Sequence, residues 1–279
     1  MRDGHKNRTK IHKPTSKPAG GSPLIVLIYG GGFISGSEEQ MTPWARAFVR
    51  QFGAVVVNIK YRLAPENKFP TSWHDAWDAT KWIAENAKSL DADTSKGFVV
   101  GGVSAGGNLT AYLTRQAQDT PLAVPFTGQW LCVPSVMSEA NCPEKYKELY
   151  LAFKHNTEAP VLYSSALDQI GEHVGADESS PLRYPILGKT PLTGLPPAFI
   201  QSDGMDPLRD DALIYDEMLK EAGVKTRCNF YPGCPHAHFA FMPGVRPSNQ
   251  AVADILQGMG WLLGKDVKLE DVPKAMGMA

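Results

Sequence analysis

The sequence has little of several features that mark specialised classes of protein. It contains only four cysteines in 279 residues (Cys132, Cys142, Cys228 and Cys234) and no C-x-x-C pair. Four cysteines in a chain this long do not make the disulfide framework of a small secreted protein. The formal net charge is only -1, which disfavours nucleic acid or an anionic membrane as the main partner.

Long apolar runs and a secretory signal are also missing. The longest uninterrupted apolar run, residues 24–29, is far too short to cross a bilayer. The first eight residues are polar and basic, and no apolar region follows them, so they do not read as a secretory signal. The sequence therefore predicts a cytoplasmic protein with reduced cysteines and no membrane span.

What the sequence does contain is an alternation of strand-like and helix-like segments. Hydrophobic residues make up 43% of the chain, which suits one large α/β domain with an ample core. Strands are predicted at 24–29, 54–59, 97–100, 126–133, 198–202 and 225–231, and helices at 42–51, 72–89, 108–118, 208–222 and 248–263. This rhythm predicts parallel βαβ units with right-handed crossovers. For the first helix, Thr42 is the expected N-cap and Gly53 the expected end.

Two segments depart from the alternation. Residues 136–189 are richer in charge and contain two helix-like pieces, 144–155 and 161–173, so we expect a helical insertion that covers the sheet. Residues 1–22 are basic and then rich in Pro, Gly and Ser, and we expect an N-terminal arm. Within the arm, residues 8–12 alternate weakly and predict one half of a hairpin.

The most informative stretch is Gly102-Val103-Ser104-Ala105-Gly106. It follows a β-branched apolar run and precedes a helix-like segment, which is the context that makes G-x-S-x-G a nucleophile elbow. The serine must sit on a sharp turn between strand and helix, and flanking glycines permit the close approach of those two elements. A five-residue pattern occurs often by chance, so its meaning depends on partners elsewhere in the chain.

Those partners follow other predicted strands. Sites in open α/β sheets form at the carboxyl ends of the strands. A glycine loop starting at Gly30 follows the first buried strand, Asp206 follows strand 198–202, and His236 follows strand 225–231. The order glycine loop, Ser104, Asp206, His236 is the chain order of an α/β-hydrolase triad. The sequence therefore predicts that these residues meet at one edge of the sheet.

The chemistry assigns each residue a role. A serine hydroxyl needs a base, and the imidazole of His236 can take its proton and return it because it titrates near neutral pH. Asp206 would orient the ring and stabilise imidazolium. Backbone N–H groups of the glycine loop and of the residue after Ser104 would bind the oxyanion, and glycines let them approach the substrate.

Several alternatives stay open on the residues alone. Asp203 lies three residues before Asp206 and competes for the acid, and His238 competes with His236 for the base. A metal site at His236-x-His238 lacks a partner motif such as H-E-x-x-H. The glycine loop has Ser35 where a dinucleotide-binding loop needs its third glycine, and no G-x-x-x-x-G-K-[ST] occurs. We therefore expect neither a metal nor a nucleotide cofactor.

The chain resembles the hormone-sensitive-lipase-like α/β-hydrolases, the carboxylesterases with an HGGG loop. The matching stretches are 29–37, 61–66, 102–109, 206–210 and 231–236. The resemblance implies a mostly parallel sheet with helices on both faces, and a cap formed by 136–189. It implies no cofactor, and it favours Asp206 over Asp203 and His236 over His238. It places the oxyanion amides at Gly30, Gly31 and Ala105, and it makes 61–66 a scaffold behind the site.

Three departures from the family pattern are visible. Tyr29 stands where the family usually has the histidine that orients the glycine loop, and Val103 stands where it often has aspartate. Family members also usually begin with more residues that complete the cap. We therefore expect either a smaller cap or a truncated chain. An open pocket would expose apolar surface, which favours self-association as a homodimer.

The sequence thus predicts a serine carboxylesterase that acts on small or medium esters as small-molecule substrates. The alternative is a non-hydrolytic member of the same fold, either a ligand receptor without turnover or a lyase or dehydratase. Tyr29 and the short N-terminal region motivate the receptor, whereas the presence of all three triad residues argues against it.

Overall fold

The fold is a seven-stranded sheet surrounded by helices. The computed structural model describes residues 1–278. The strands are β1 (Thr9–His12), β2 (Leu24–Ile28), β3 (Val55–Ile59), β4 (Phe98–Val103), β5 (Gly128–Cys132), β6 (Ala198–Asp203) and β7 (Thr226–Tyr231). The helices are α1 (Thr42–Phe52), α2 (Thr71–Glu85), α3 (Ala105–Asp119), α4 (Ala152–His155), α5 (Ser164–Val174), α6 (Arg209–Glu221), α7 (His238–Phe241), α8 (Arg246–Leu262) and α9 (Val272–Met276).

The sheet is mostly parallel, as the alternation of segments predicts. Its strand order is β1-β3-β2-β4-β5-β6-β7, and every neighbouring pair is parallel except β1 with β3. All five residues of β2 and all five of β3 are buried. Continuous burial along a strand means that both faces of the sheet are covered, which is why these strands read as unbroken apolar runs.

The register brings the functional loops to one edge of the sheet. Ile28 at the end of β2 pairs with Gly102 of β4, and Asp203 at the end of β6 pairs with Tyr231 at the end of β7. Because these strands are parallel, the loops that follow them emerge at the same edge. This is the geometry that the order of motifs along the chain predicts.

The N-terminal region is partly built into the sheet. Residues Thr9 to His12 form β1, which pairs antiparallel with β3 and not with β2, the next strand along the chain. The expected hairpin is therefore wrong, because the exposed edge of β3 offers the unpaired backbone groups that β1 satisfies. The beginning of α1 also differs, since its N-cap is Met41 and the Thr42 hydroxyl donates to Glu39 instead. The end of α1 is as predicted, with Gly53 in the left-handed conformation.

The insertion between β5 and β6 is less regular than predicted. The expected helix at 144–155 is wrong, because the chain forms a 3-10 helix at Glu144–Leu149 and then the single turn α4. The second expected helix is present as α5, which begins three residues later than predicted. A side chain at Gly32 would meet Ile170 of α5 within 2.9 Å, so this helix packs directly on the glycine loop.

Candidate active site

Ser104 sits on a strained turn between β4 and α3. Its backbone angles, φ of 58° and ψ of -117°, are rarely adopted by residues other than glycine. The backbone around it is held from both sides, since the Ser104 amide donates to the Cys132 carbonyl at 2.8 Å and the Ser104 carbonyl accepts from the Asn108 amide at 2.9 Å. These two hydrogen bonds stabilise the strained backbone and keep the Ser104 hydroxyl at the tip of the turn.

The glycines that flank the serine are required by the close approach of strand and helix. A Cβ at Gly106 would lie 2.1 Å from the Ile28 carbonyl oxygen, and one at Gly102 would lie 2.4 Å from the Gly106 backbone. Neither contact can be relieved by rotating a side chain, because the neighbouring atoms are backbone. The G-x-S-x-G spacing therefore has a steric reason in this fold.

Three of the predicted residues form one chain of hydrogen-bonded side chains. His236 Nε2 lies 2.9 Å from Ser104 Oγ, and His236 Nδ1 lies 2.6 Å from Asp206 Oδ2. The other oxygen of Asp206, Oδ1, accepts the Leu208 amide at 2.9 Å, which fixes the orientation of the carboxylate. Asp206 and His236 are buried and Ser104 is partly exposed, so the chain runs from the interior to an accessible hydroxyl.

The environment of His236 shifts its affinity for a proton. Burial by itself lowers the pKa of the imidazole, but the negative charge of Asp206 and the hydrogen bond to it act in the opposite direction and prevail. The charge of Asp203 adds to this effect, and the pKa of His236 is raised above its usual value. Such an imidazole is a competent base near neutral pH and a well-stabilised cation once protonated.

The two competing candidates, Asp203 and His238, pair with each other instead. His238 Nδ1 lies 3.0 Å from Asp203 Oδ1, and both side chains are almost fully buried. Among the residues that the structure describes, Nε2 of His238 has no hydrogen-bond partner. The structure thus separates the four residues into two pairs and brings only one pair to Ser104.

The glycine loop lies against the serine. A Cβ at Gly30 would come within 3.2 Å of Ser104 Cβ, and Gly31 adopts a φ of 122° with its carbonyl accepting from the Ile34 and Ser35 amides. Within residues 1–278, the amides of Gly30, Gly31 and Ala105 donate no hydrogen bond. Three unused donors beside a serine hydroxyl could hold an oxyanion.

Tyr29 does not line the cavity, but it anchors the start of the glycine loop through contacts with Tyr61. Its hydroxyl donates to the Tyr61 carbonyl at 3.0 Å, and the Tyr61 hydroxyl donates to the Tyr29 carbonyl at 3.1 Å. The two rings stack at 4.3 Å between centroids and are fully buried. The sequence identified 61–66 as a scaffold, but nothing in it pointed to this reciprocal pair.

A cavity of about 610 Å³ opens above Ser104. Its wall is mostly apolar and includes Trp44 from α1, Ile170 from α5 and Phe239 from α7. Nothing in the sequence pointed to the cationic group of the cavity, Arg183, because it lies in the charge-rich segment 136–189 and belongs to no recognisable motif. The cavity can hold an apolar group next to the serine hydroxyl and the unused amides.

Two further kinds of feature are absent from the part of the chain that the structure describes. Among residues 1–278, no group of three His, Cys, Asp or Glu side chains could hold a metal ion. No helix in the same part of the chain is long and apolar enough to cross a membrane.

Comparison with known proteins supplies an independent line of evidence. Residues 25–240 match a family model described as the alpha/beta hydrolase fold. The chain is 36% identical over 224 residues to carboxylesterase NlhH of Mycobacterium tuberculosis, which covers 78% of this chain and 67% of that protein. It is 34% identical to versiconal hemiacetal acetate esterase of Dothistroma septosporum, over 87% of this chain and 74% of the relative.

A solved structure agrees closely in shape. The crystal structure of vibralactone cyclase superposes with a TM-score of 0.89 at 34% identity, covering 94% of this chain and 78% of that one. The fold, the matched segment and the esterase relatives all point to the same group of enzymes.

Proposed function

The chain belongs to the hormone-sensitive-lipase-like α/β-hydrolases, a family of carboxylic ester hydrolases, and we propose that it cleaves small or medium esters through an acyl-enzyme on Ser104. The observation that carries the proposal is the continuous hydrogen-bonded chain from Ser104 Oγ through His236 to Asp206. A serine in this arrangement has the base that its hydroxyl requires.

In the first half of the proposed reaction, His236 Nε2 accepts the Ser104 proton while Oγ attacks the ester carbonyl. The amides of Gly30, Gly31 and Ala105 hold the oxyanion of the tetrahedral intermediate. The protonated imidazole then gives its proton to the leaving alcohol, and the acyl group remains on the serine. Asp206 stabilises the imidazolium and keeps Nδ1 protonated throughout.

In the second half, a water molecule takes the place of the alcohol. His236 removes its proton, the hydroxide attacks the acyl carbonyl, and the same amides stabilise the second oxyanion. Collapse of this intermediate releases the acid and returns the proton to Ser104. No group beyond these residues and water is needed to balance the reaction.

The cavity supports the proposed size of the substrate. About 610 Å³ of mostly apolar space accommodates a short or medium acyl chain or alcohol. We propose that 136–189 acts as a cap, because its helix α5 contributes Leu167 and Ile170 to the cavity wall. The cap would then set the preference among esters, while the elements below it supply the chemistry.

The test is hydrolysis of p-nitrophenyl acetate and p-nitrophenyl butyrate by wild type and S104A. We expect turnover by wild type and loss of about 10⁴-fold or more in the variant. Matched circular dichroism spectra of the two proteins control for folding. Equal rates for wild type and S104A would overturn the proposal.

A second candidate is a non-hydrolytic reaction at the same serine, which the similarity to vibralactone cyclase favours. In ring closure, a hydroxyl of the substrate would accept the acyl group instead of water. Hydrolysis in water enriched in heavy oxygen places the label in the product acid, whereas ring closure or elimination does not. The isotope content of the product therefore separates the two candidates.

A further inference from the structure

One side chain in the mostly apolar cavity wall carries a permanent charge. Arg183 lines the cavity together with Ser104 and Phe33. No Asp, Glu or Lys belongs to the wall in the part of the chain that the structure describes, and the only other titratable side chain there is His236. A permanent positive charge therefore faces the space that a substrate would occupy.

The guanidinium has no acidic partner of its own. Within residues 1–278, no carboxylate lies within 4.0 Å of it. It donates one long hydrogen bond of 3.3 Å to Ser135 Oγ and lies over the rings of Tyr184, at 4.4 Å, and Phe33, at 5.8 Å. These contacts position the guanidinium but leave most of its five donors unused.

The carboxylate of Asp211 interacts electrostatically with Arg183, but its oxygens are hydrogen-bonded to other groups. Asp211 is fully buried and accepts hydrogen bonds from the Val136 and Met137 amides and from the Tyr150 hydroxyl. Burial raises the pKa of Asp211 to about 7, and the hydrogen bonds and the charge of Arg183 only partly offset that rise. Asp211 is thus a weak counter-charge for the guanidinium.

The position of Arg183 is tied to the element that carries the nucleophile. The Asn108 amide group donates to the carbonyls of Arg183 and Ser135 at 2.7 Å and 2.5 Å. Asn108 is fully buried, lies one turn after Ser104 on α3, and accepts the Trp73 indole N–H at 3.0 Å. The backbone of Arg183 is therefore held at a fixed distance from the serine, as a substrate-positioning group requires.

We propose that Arg183 binds a free carboxylate of the substrate, so that the preferred esters are those that also carry a carboxylic acid. The inference rests on the proposed esterase function of Ser104 and names its substrate class. A planar guanidinium pairs with a carboxylate through two parallel hydrogen bonds, and a single cation matches a single negative charge. The apolar wall around it accommodates the carbon chain between the acid and the ester.

The test compares pairs of esters that differ only in the charged group. On the acyl side, monomethyl glutarate is compared with methyl isoheptanoate, in which two methyl groups replace the carboxylate oxygens. On the alcohol side, the acetate ester of γ-hydroxybutyrate is compared with isohexyl acetate. Hydrolysis is followed by pH-stat at low ionic strength, and the ratio of kcat/KM for acid over neutral ester is measured for each pair.

Three variants test whether the ratio of kcat/KM for acid over neutral ester depends on the guanidinium of Arg183. R183M removes the charge but keeps an apolar side chain of similar length, and we expect the ratio to fall about 10- to 100-fold for at least one pair. R183K keeps the charge without the planar fork, and we expect an intermediate ratio. K189M removes an exposed cation six residues away, and its ratio should equal that of wild type.

Binding without turnover provides a second readout. Glutarate should inhibit the hydrolysis of p-nitrophenyl butyrate competitively in wild type and K189M, with much weaker inhibition in R183M. A merely structural arginine would not produce this difference, because its loss would lower all activities together.

The outcomes separate this inference from the proposed function. The pair whose ratio falls in R183M identifies whether the carboxylate belongs to the acyl or the alcohol part. If S104A abolishes hydrolysis but R183M lowers acid and neutral esters equally, the carboxylate site is wrong and the esterase stands. If S104A retains wild-type hydrolysis, the proposed function itself is wrong, and this inference is lost with it.

Discussion

Two aspartate–histidine pairs lie side by side at the carboxyl edge of the sheet, and they differ in what the far nitrogen of the imidazole meets. In one pair, Asp206 holds Nδ1 of His236 at 2.6 Å, and Nε2 reaches Ser104 Oγ. In the other, Asp203 holds Nδ1 of His238 at 3.0 Å, and Nε2 has no hydrogen-bond partner among residues 1–278.

An aspartate beside a histidine does not by itself define a catalytic base. Both pairs are buried, and both histidines are positioned through the same ring nitrogen. The difference is made by the neighbouring element, because only His236 faces the turn that carries Ser104. We therefore interpret Asp203–His238 as a supporting pair beneath the loop that presents His236.

The largest expected difference concerns the two histidines. H236A should lower kcat for p-nitrophenyl butyrate by about 10⁴-fold or more, because the serine loses its base. H238N should retain most of the wild-type activity, since an asparagine amide can replace the Nδ1–H that Asp203 accepts. Comparable losses in both variants would mean that the two pairs are not functionally distinct.

Substitution of the two aspartates should also lower kcat unequally, but the difference should be smaller than for the two histidines. D206N should lower kcat by roughly 10³- to 10⁴-fold, because an amide favours the wrong tautomer of His236 and cannot stabilise imidazolium. D203N should have a much smaller effect on kcat at the pH optimum. Steady-state kinetics of both variants check this, and a larger loss in D203N than in D206N would reverse the assignment of the acid.

The Asp203–His238 pair should contribute to stability even though it contributes little to catalysis. H238A leaves the buried carboxylate of Asp203 without its partner, and we expect it to lower the free energy of unfolding by about 3 kcal/mol. H238N should lose less than H238A, because it keeps a hydrogen-bond donor to Asp203. Urea denaturation of the three proteins measures this, and equal stability of H238A and wild type would show that the pair has no supporting role.

The smallest expected effect is on pH dependence. His236 must be neutral to accept the serine proton, so kcat/KM should fall as the pH drops through the pKa of His236, which is raised above its usual value. The charge of Asp203 contributes to that rise, so D203N should shift the acid limb of the profile to lower pH. An acid limb that stays in place in D203N would mean that the two pairs are electrostatically independent.

Much of the fold and the main part of the candidate site are predictable from the sequence because both follow from local patterns. Buried parallel strands read as apolar runs, as in β2 and β3, and the loops after parallel strands share an edge. The elbow is recognisable because Gly102 and Gly106 are sterically required there. These signals lie within a few residues of the features that they specify.

The features that could not be predicted depend on contacts between distant residues. The pairing of β1 with β3 joins segments more than forty residues apart in the chain, and weak alternation in residues 8–12 does not name a partner strand. The reciprocal bonds of Tyr29 and Tyr61, and the approach of Arg183 to the elbow helix, likewise appear only in three dimensions.

The central claim is that Ser104 is activated by His236 and not by His238, and covalent labelling tests it most directly. A fluorophosphonate probe followed by peptide mass spectrometry should modify Ser104 in wild type and in H238N, and should label H236A far more slowly. Labelling of another residue, or equal labelling rates at Ser104 in wild type and H236A, would contradict the account.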